Sequence, residues 1–192
     1  MSKLYFSYSA MNAGKSTALL QVAHNYEERG MNVYLLSAKL DTRSGEGFIA
    51  SRVGLKHECD TFSETCDLFK KIEDKHLGTP LSCVLIDEAH WLSPEHVNQL
   101  AKTADTLGVP IMCYGLRTDF KGNLFPGSER LLALADDLRE IRTICHCGKK
   151  ATMVLRLDAE GNVLLDGPQT KVGGNESYVS VCRKHWSEAL TN

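Results

Sequence analysis

The chain has 192 residues, of which 43% are apolar, so it is long enough for one packed domain and a smaller appended module. Its formal net charge is −2 with both signs spread along the sequence, which excludes the basic footprint of proteins that bind duplex nucleic acid. Apolar runs are only a few residues long, and the N-terminus lacks a secretory leader pattern. We therefore expect a cytoplasmic protein with reduced cysteines, no membrane partner and no nucleic-acid polymer as partner.

Strands and helices alternate along the sequence up to about residue 120. The predicted strands are short apolar segments without a helical period, and the predicted helices carry apolar residues at helical spacing. In chain order we predict a strand before residue 9, a helix over 15–29, a strand over 33–36, a mobile loop over 39–54, a helix capped by Ser63 that ends near residue 78, a strand over 84–86, a helix over 94–107 and a strand over 111–114. Ser93 and Pro94 supply a cap and a first-turn proline for the third helix.

This alternation predicts an α/β fold, with a parallel sheet covered by helices, over residues 1–140. Ligands of such sheets bind beyond the carboxyl ends of the strands. After about residue 136 the pattern changes to short strands, predicted over 138–144, 152–157 and 178–181, which turn-rich sequence separates. We predict that residues 141–192 form a second, smaller and β-rich module.

A phosphate-binding loop is predicted directly after the first strand, which makes the sheet one of P-loop NTPase type. Gly14, Lys15 and Ser16 match the second half of G-x-x-x-x-G-K-[ST], while Ser9 replaces the first glycine. Loop amides and the helix N-terminus would surround the phosphates of ATP, Lys15 would meet the β- and γ-oxygens, and Ser16 would bind Mg²⁺. The alternative is a small-residue turn between a strand and a helix. The candidate ATP-binding residues of this loop are Ser9, Ala10, Met11, Asn12, Ala13, Gly14, Lys15 and Ser16.

Two acidic residues follow the strand over 84–86, which we expect to lie next to the P-loop strand. Asp87 suits a carboxylate that helps to hold Mg²⁺, and Glu88 suits a general base that deprotonates a hydroxyl or orients a water. Ala89 and His90 complete this candidate ATP- and Mg²⁺-binding segment. The alternative is an acidic turn before a helix, where carboxylates are favourable. The same four residues match the acidic box of a class of helicases, but a helicase motor needs a second such domain and a basic channel.

A metal site is predicted in the second module, from two pairs of potential ligands. The four residues are Cys145, Cys147, Cys182 and His185. This set suits a four-coordinate, structural Zn²⁺ site without an open position. In an extended stretch Cys145 and Cys147 would face the same side and His146 the other, so we prefer His185, with His146 left open as a substitute. The alternative is free cysteines beside a surface histidine.

The metal site would close a loop over residues 148–181. Its glycines would let the backbone approach a ligand closely, and Tyr178 could stack on a ring. The loop therefore either folds over a small acceptor or is a surface excursion of the zinc module, and the spacing does not decide between the two.

Taken together, these residues resemble the type II thymidine kinases, the family of the cytosolic enzyme of animals and its bacterial relatives. The resemblance runs from about residue 4 to residue 190 and depends on residues 9–17, 87–88, 114–120, 145–147 and 173–182. The chain departs from the family pattern where Ser9 replaces a frequent glycine, His90 replaces the usual glutamine and His185 replaces a cysteine. Its C-x-C pair also replaces the C-x-x-C of animal members.

The resemblance implies transfer of the γ-phosphoryl group of ATP to the 5′-hydroxyl of thymidine, which gives thymidine monophosphate for DNA synthesis. It implies that Glu88 is the base, that Lys15 neutralises charge, and that Arg43 contacts the phosphate side. The residues implied to bind thymidine are Met11, Phe120, Val172, Gly173, Gly174 and Tyr178, the last four in a lasso over the base. Family members are commonly homotetramers inhibited by thymidine triphosphate.

Two other classes of function stay open at this point. A P-loop ATPase or nucleic-acid motor would use Glu88 to position water, and DNA or RNA would stimulate its ATP hydrolysis. A non-enzymatic adaptor that binds zinc and nucleotide would be stabilised by nucleotide without turnover.

Overall fold

A six-stranded sheet forms the centre of the fold. The structure is a computed structural model and describes residues 2–41, 45, 47–169 and 177–191. The strands are β1 (Leu4–Ser9), β2 (Val33–Ala38), β3 (Phe48–Ala50), β4 (Lys56–Glu58), β5 (Asp60–Phe62), β6 (Cys83–Ile86), β7 (Ile111–Leu116), β8 (Asp137–Glu140), β9 (Thr143–Ile144), β10 (Lys150–Ala151), β11 (Met153–Arg156) and β12 (Tyr178–Val181). The helices are α1 (Lys15–Glu27), α2 (Leu68–Gly78), α3 (Pro94–Leu107), α4 (Pro126–Leu134) and α5 (Arg183–Thr191), with a 3-10 turn over Ala89–Trp91. Among the described residues, no helix is both long and apolar enough to span a bilayer.

The strand order in the central sheet is β5-β2-β6-β7-β1-β8, and each of these pairings is parallel. The first strand, β1, lies between β7 and β8, with Ser9 opposite Leu116 and Tyr8 opposite Glu140. Because β7 separates β1 from β6, the expectation that the acidic pair follows a strand adjacent to the P-loop strand is wrong. The carboxyl ends of β1, β7 and β6 nevertheless meet at one edge of the sheet.

Alternate residues of the strands face two different helical layers. Val84 and Ile86 pack in the core that contains α2, α3 and α4, whereas Leu85 packs with Leu19 and Ala23 of α1 on the other face. All four residues of β6 are buried, which explains its continuously apolar sequence. The predicted α/β architecture with a parallel sheet is confirmed.

The predicted N-cap residue is correct for α3 and wrong for α2. At α3, the Ser93 hydroxyl accepts from the His96 N–H at 3.1 Å and His96 Nδ1 accepts from the Ser93 N–H at 3.3 Å, as a reciprocal cap. The prediction that Ser63 caps α2 is wrong, because Asp67 accepts from the Lys70 N–H at 2.9 Å and caps the helix instead. Asp67 directly precedes the first buried residue of α2, whereas a turn separates Ser63 from it.

The predicted loop over 39–54 contains part of a hairpin, so that prediction is wrong in part. β3 pairs antiparallel with β4, and Ile49 inserts into the core beside α1. Each strand of the hairpin has three residues, too few to show a period in the sequence.

The second module contains the pairs β9–β10 and β11–β12 and the helix α5. The prediction of one strand over 138–144 is wrong, because β8 pairs with β1 in the central sheet and the chain leaves that sheet after Glu140. Helices α4 and α5 are absent from the sequence prediction. Pro126 supplies a first-turn proline for α4, but Phe125 precedes it without a side-chain cap, so only part of the usual start signal is present there. The division of the chain near residue 140 stays a prediction.

Candidate active site

The loop between β1 and α1 has the backbone of a phosphate-binding loop. Asn12 and Gly14 adopt left-handed φ angles of 60° and 84°, and α1 begins at the next residue. Lys15 is 8% exposed, and its Nζ donates to Ser9 Oγ at 3.2 Å and to the Ala10 carbonyl at 3.1 Å. The Ser9 hydroxyl thus contacts the lysine at the position where the usual motif has glycine. Loop amides, the helix N-terminus and a lysine meet here, as anion binding requires.

Ser16 and Asp87 connect this loop to the end of β6. Ser16 Oγ donates to Asp87 Oδ2 at 2.8 Å, and the Glu88 amide donates to Asp87 Oδ1 at 3.0 Å. Burial, and then the neighbouring charge of Glu88, raise the pKa of the Asp87 carboxyl. A hydroxyl and a carboxylate in contact are oxygen ligands of the kind that Mg²⁺ prefers, so these two residues fit that ion.

Glu88 is held in an unusual backbone conformation. Its φ and ψ are 51° and 40°, a left-handed geometry that costs an L-residue about 1–2 kcal/mol. Helix α4 and strand β7 pack closely against the turn over Ala89–Trp91 that follows Glu88. A β-carbon on Gly127 would lie 2.5 Å from the Leu92 carbonyl oxygen, and one on Gly115 would lie 2.9 Å from the His90 nitrogen. Only glycine fits at such distances, so α4 and β7 together fix the turn that carries Glu88.

His90 connects Glu88 to the next strand and to an aromatic ring. Its Nδ1 lies 3.4 Å from Glu88 Oε2 and 3.3 Å from the Leu116 nitrogen, so it either donates to the carboxylate or accepts from the Leu116 N–H, according to which ring nitrogen carries the proton. Its ring packs on Phe125 with the ring centroids 4.7 Å apart. Because His90 is 4% exposed, its ring is fixed beside the Glu88 carboxylate.

These groups line a cavity of about 310 Å³ with two chemically different ends. The P-loop and the acidic pair form a charged end, and Phe120, Phe125 and Tyr178 contribute an apolar end. Residues 48–53, from β3 and the turn after it, form a further wall. The volume falls in the range of small-molecule sites, so the cavity suits a ligand with an anionic part and an apolar ring.

The loop after β7 presents Phe120 at the apolar end. Asp119, which is buried, accepts through Oδ1 from the Lys121 and Asn123 N–H groups at 2.9 and 2.8 Å. Its Oδ2 accepts from Gln169 Nε2 at 3.1 Å. The carboxylate therefore shapes the turn from inside and connects it to a distant segment.

Arg156 lies behind the two rings at this end. Its guanidinium is 5.4 Å from the Phe120 centroid and 5.9 Å from the Tyr178 centroid, within cation–π range. On the same strand as Tyr178, Ser180 Oγ donates to the Met11 carbonyl at 2.6 Å. β12 is thereby attached to both ends of the cavity.

A candidate metal centre lies in the second module. Four potential ligand atoms lie within 4.8 Å of one another, and they belong to Cys145, Cys147, Cys182 and His185. The Cys147 and Cys182 sulfurs are 3.9 Å apart, and His185 Nδ1 lies 3.2 and 3.5 Å from the Cys145 and Cys182 sulfurs. Tetrahedral zinc with ordinary bond lengths places two sulfurs about 3.8 Å apart and a sulfur and a nitrogen about 3.5 Å apart. The set therefore fits Zn²⁺.

The backbone that carries Cys145 and Cys147 has a different conformation from the predicted one. Residues 145–148 form a turn, in which the Gly148 N–H donates to the Cys145 carbonyl at 2.8 Å, rather than an extended stretch. The turn brings both sulfurs to one side. His146 stacks on His185 with centroids 4.2 Å apart, and its Nδ1 lies 3.6 Å from the Cys145 sulfur, but it is not among the four residues whose ligand atoms all lie within 4.8 Å of one another, so the structure favours His185 as the nitrogen ligand.

The structure brings most of the candidate ATP- and substrate-binding residues to one cavity. Those that line it are Met11, Asn12, Ala13, Gly14, Lys15, Ser16, Asp87, Glu88, His90, Phe120 and Tyr178. The buried residues Ser9, Ala10 and Ala89 are not part of the lining. Four further candidates lie outside the described residues: Arg43, Val172, Gly173 and Gly174.

The sequence does not single out several residues that belong to the site. Residues that line the cavity without having been predicted include Trp91, Phe125, Val154 and Gln169. The turn sequence Asp-Phe-Lys-Gly at 119–122 is a local signal for the loop that carries Phe120. No local signal exists for Gln169, because only the folded chain brings it to Asp119.

A parallel α/β sheet with this loop, lysine and acidic pair defines the protein as a P-loop nucleotide-binding protein. The family model described as Thymidine kinase matches residues 2–186. Relatives include the Thymidine kinase of Jannaschia sp. (strain CCS1), 59% identical over 99% of this chain and 97% of the relative, and that of Agrobacterium fabrum (strain C58 / ATCC 33970), 59% identical over 99% and 98%. The chain belongs to the thymidine kinase family.

Family membership favours a kinase over the ATPase motor and the adaptor. Among solved structures, the Legionella pneumophila ATPase DotB has a TM-score of 0.43 at 16% identity, over 83% of this chain and 47% of that chain. That similarity is too low to support an argument about function.

Proposed function

We propose that the protein transfers the γ-phosphoryl group of ATP to the 5′-hydroxyl of thymidine. The observation that carries the proposal is one cavity that combines a phosphate-binding loop, the carboxylate of Glu88 and an apolar end with aromatic rings. Membership of the thymidine kinase family supports thymidine as the acceptor and ATP as the donor.

Phosphoryl transfer needs alignment and charge neutralisation more than covalent chemistry. In the proposed mechanism, amides of the P-loop, from Ser9 to Ser16, hold the phosphates, and Lys15 neutralises charge on the transferred group. Glu88 accepts the proton of the 5′-hydroxyl as that oxygen bonds to the γ-phosphorus, and ADP leaves. Mg²⁺, held by Ser16 and Asp87, would further neutralise the phosphates. His90 orients Glu88, and Ala89 connects the two in the fixed turn.

The apolar end would bind the thymine base. In this proposal Met11 and Phe120 pack on the base, and Tyr178 closes the pocket from β12. Val172, Gly173 and Gly174 would form a covering lasso and Arg43 would contact the phosphates, on the basis of the family resemblance alone. Covering the bound pair excludes water, which limits wasteful hydrolysis of ATP.

We further propose a structural metal ion, an oligomeric state, a cellular location and a feedback inhibitor. Zn²⁺ held by the four clustered ligands would have a structural role, because no ligand position is left open. Family resemblance further suggests a homotetramer in the cytoplasm, with thymidine triphosphate as a feedback inhibitor.

A panel of acceptors with labelled ATP tests the main proposal. Purified protein is incubated with Mg²⁺, ATP labelled at the γ-phosphate, and one of thymidine, deoxyuridine, deoxycytidine, deoxyadenosine, deoxyguanosine or single-stranded DNA. We expect labelled nucleoside monophosphate with thymidine. ATP hydrolysis that DNA stimulates, without any labelled nucleoside, would contradict the proposal.

A further inference from the structure

Trp186 connects the candidate metal centre to the loop that carries Phe120. It lies in the first turn of α5, and its N–H donates to the carbonyl of the metal-centre residue Cys182 at 3.0 Å. Its indole Nε1 donates to the Phe120 carbonyl at 2.9 Å. One side chain therefore bonds to the base-stacking residue while its backbone bonds to a candidate zinc ligand.

The indole ring also packs closely on the same loop. A β-carbon on Gly122 would lie 3.0 Å from Cζ2 of the ring, so the ring rests directly on the backbone there. Its other contacts are with the small core of the second module, which includes Met153 and Val181. A rigid ring with a single donor fixes both the distance and the orientation between two elements.

This contact has a different effect from the hydrogen bonds of Asp119. The Asp119 carboxylate sets the shape of the turn through Oδ1, whose backbone partners lie within the turn, and joins the turn to Gln169 through Oδ2. The Trp186 hydrogen bond sets where that turn lies relative to α5 and the metal centre. Phe120 can keep its local conformation and still be misplaced if this bond is lost.

We infer that Trp186 is a positioning residue for thymidine, which holds Phe120 in place relative to α5 and the candidate metal centre. The inference rests on the proposed role of Phe120 in stacking on the base. Binding of ATP does not depend on the contact, since the P-loop is a continuous segment attached to the central sheet.

The test uses the zinc-loaded protein and the variant Trp186→Phe, which keeps an aromatic ring and loses the N–H donor. We expect the KM for thymidine to rise about tenfold, the usual effect of one lost hydrogen bond. The KM for ATP, kcat and the zinc content should stay within about twofold. Ser187→Ala, at the exposed neighbouring position, is the matched control and should change none of these quantities.

Four outcomes overturn the inference, and the variant Phe120→Ala separates it from the proposed role of Phe120. Equal rises in both KM values, or loss of zinc from Trp186→Phe, would mean that Trp186 supports the fold in general. If Phe120→Ala raises the thymidine KM and Trp186→Phe does not, the inference alone is wrong. If Phe120→Ala leaves the thymidine KM unchanged, the proposed role of Phe120 is wrong and the inference fails with it.

Discussion

The charged end of the cavity, which is the proposed phosphate end, and its apolar end, which is the proposed acceptor end, are built in different ways. The phosphate end comes mainly from the segments 11–17 and 87–90, which follow strands of the central sheet. The acceptor end takes Phe120 from the loop after β7, Tyr178 from β12 and Gln169 from a turn between them. Binding by backbone amides can be encoded in one contiguous motif, whereas a pocket for a ring has to be assembled by tertiary contacts.

The two ends also differ in what supports them. The phosphate end is attached to a sheet with helices on both faces and a large buried core. The acceptor end depends on a module with a small core and a candidate metal centre, and small cores need such cross-links for stability. We expect mutations at the phosphate end to change turnover and mutations at the acceptor end to change affinity for thymidine.

The largest effect is expected for Glu88→Gln, which removes the proposed base and preserves shape. We expect kcat to fall at least about 10²-fold, the usual range for loss of a general base, with both KM values within a few-fold. Steady-state kinetics measure this, and Glu95→Gln, an exposed carboxylate on α3, is the control. A kcat within a few-fold of the wild-type value would show that the base lies elsewhere.

An intermediate effect is expected at His90, which touches both ends. His90→Phe keeps the ring contact with Phe125 and loses the nitrogen that meets Leu116 and Glu88, so we expect kcat to fall about tenfold through misorientation of the base. His90→Gln can accept from the Leu116 N–H through its oxygen and donate to Glu88 through its amide. The variant His90→Gln should retain kcat within about threefold. Because it loses the ring contact with Phe125, a change in its KM for thymidine measures the effect of that contact. If the two variants lose kcat equally, the nitrogen does not orient Glu88.

The sequence predicts the features that depend on local pattern and misses those that depend on tertiary contacts. The parallel α/β fold, the loop at Lys15 and the buried strand before Asp87 are legible, because each depends on local pattern. The order of the strands is not, because no local signal states that β7 lies between β1 and β6. The hydrogen bond between Ser16 and Asp87 at 2.8 Å nevertheless forms across that strand, since loops at the sheet edge reach further than one strand spacing.

The metal centre is a case in which spacing predicts the cluster although the assumed conformation is wrong. Two soft ligands close in sequence can converge from a strand or from a turn, so the clustering of Cys145 and Cys147 does not depend on which one forms. Helix α5 is harder to predict, because its first turn begins with the basic residues Arg183 and Lys184, which a helix N-terminus disfavours.

The smallest effect is expected at the hairpin β3–β4, whose first strand contributes to the further wall of the cavity. His57 Nε2 lies 2.9 Å from Glu27 Oε1 on α1, and His57 Nδ1 lies 2.6 Å from the Glu58 carbonyl. Burial lowers the pKa of His57, but the hydrogen bonds to Glu58 and Glu27 outweigh it, and the net pKa is raised. A raised pKa means that the pair stabilises fully below the ordinary histidine pKa of about 6.5. The contribution is lost as the pH rises through the raised value.

The variant Glu27→Gln tests whether this ion pair attaches the hairpin. The side chains of His57 and Glu27 are 34% and 41% exposed, so solvent screening limits the pair to less than about 1 kcal/mol. We expect Tm at pH 6 to fall by about 1–3 °C, and the difference from wild type to vanish at pH 9. Glu28→Gln, at the more exposed neighbouring carboxylate, should show a smaller difference. A difference that is the same at both pH values would mean that Glu27 acts through packing and that the ion pair does not attach the hairpin to α1.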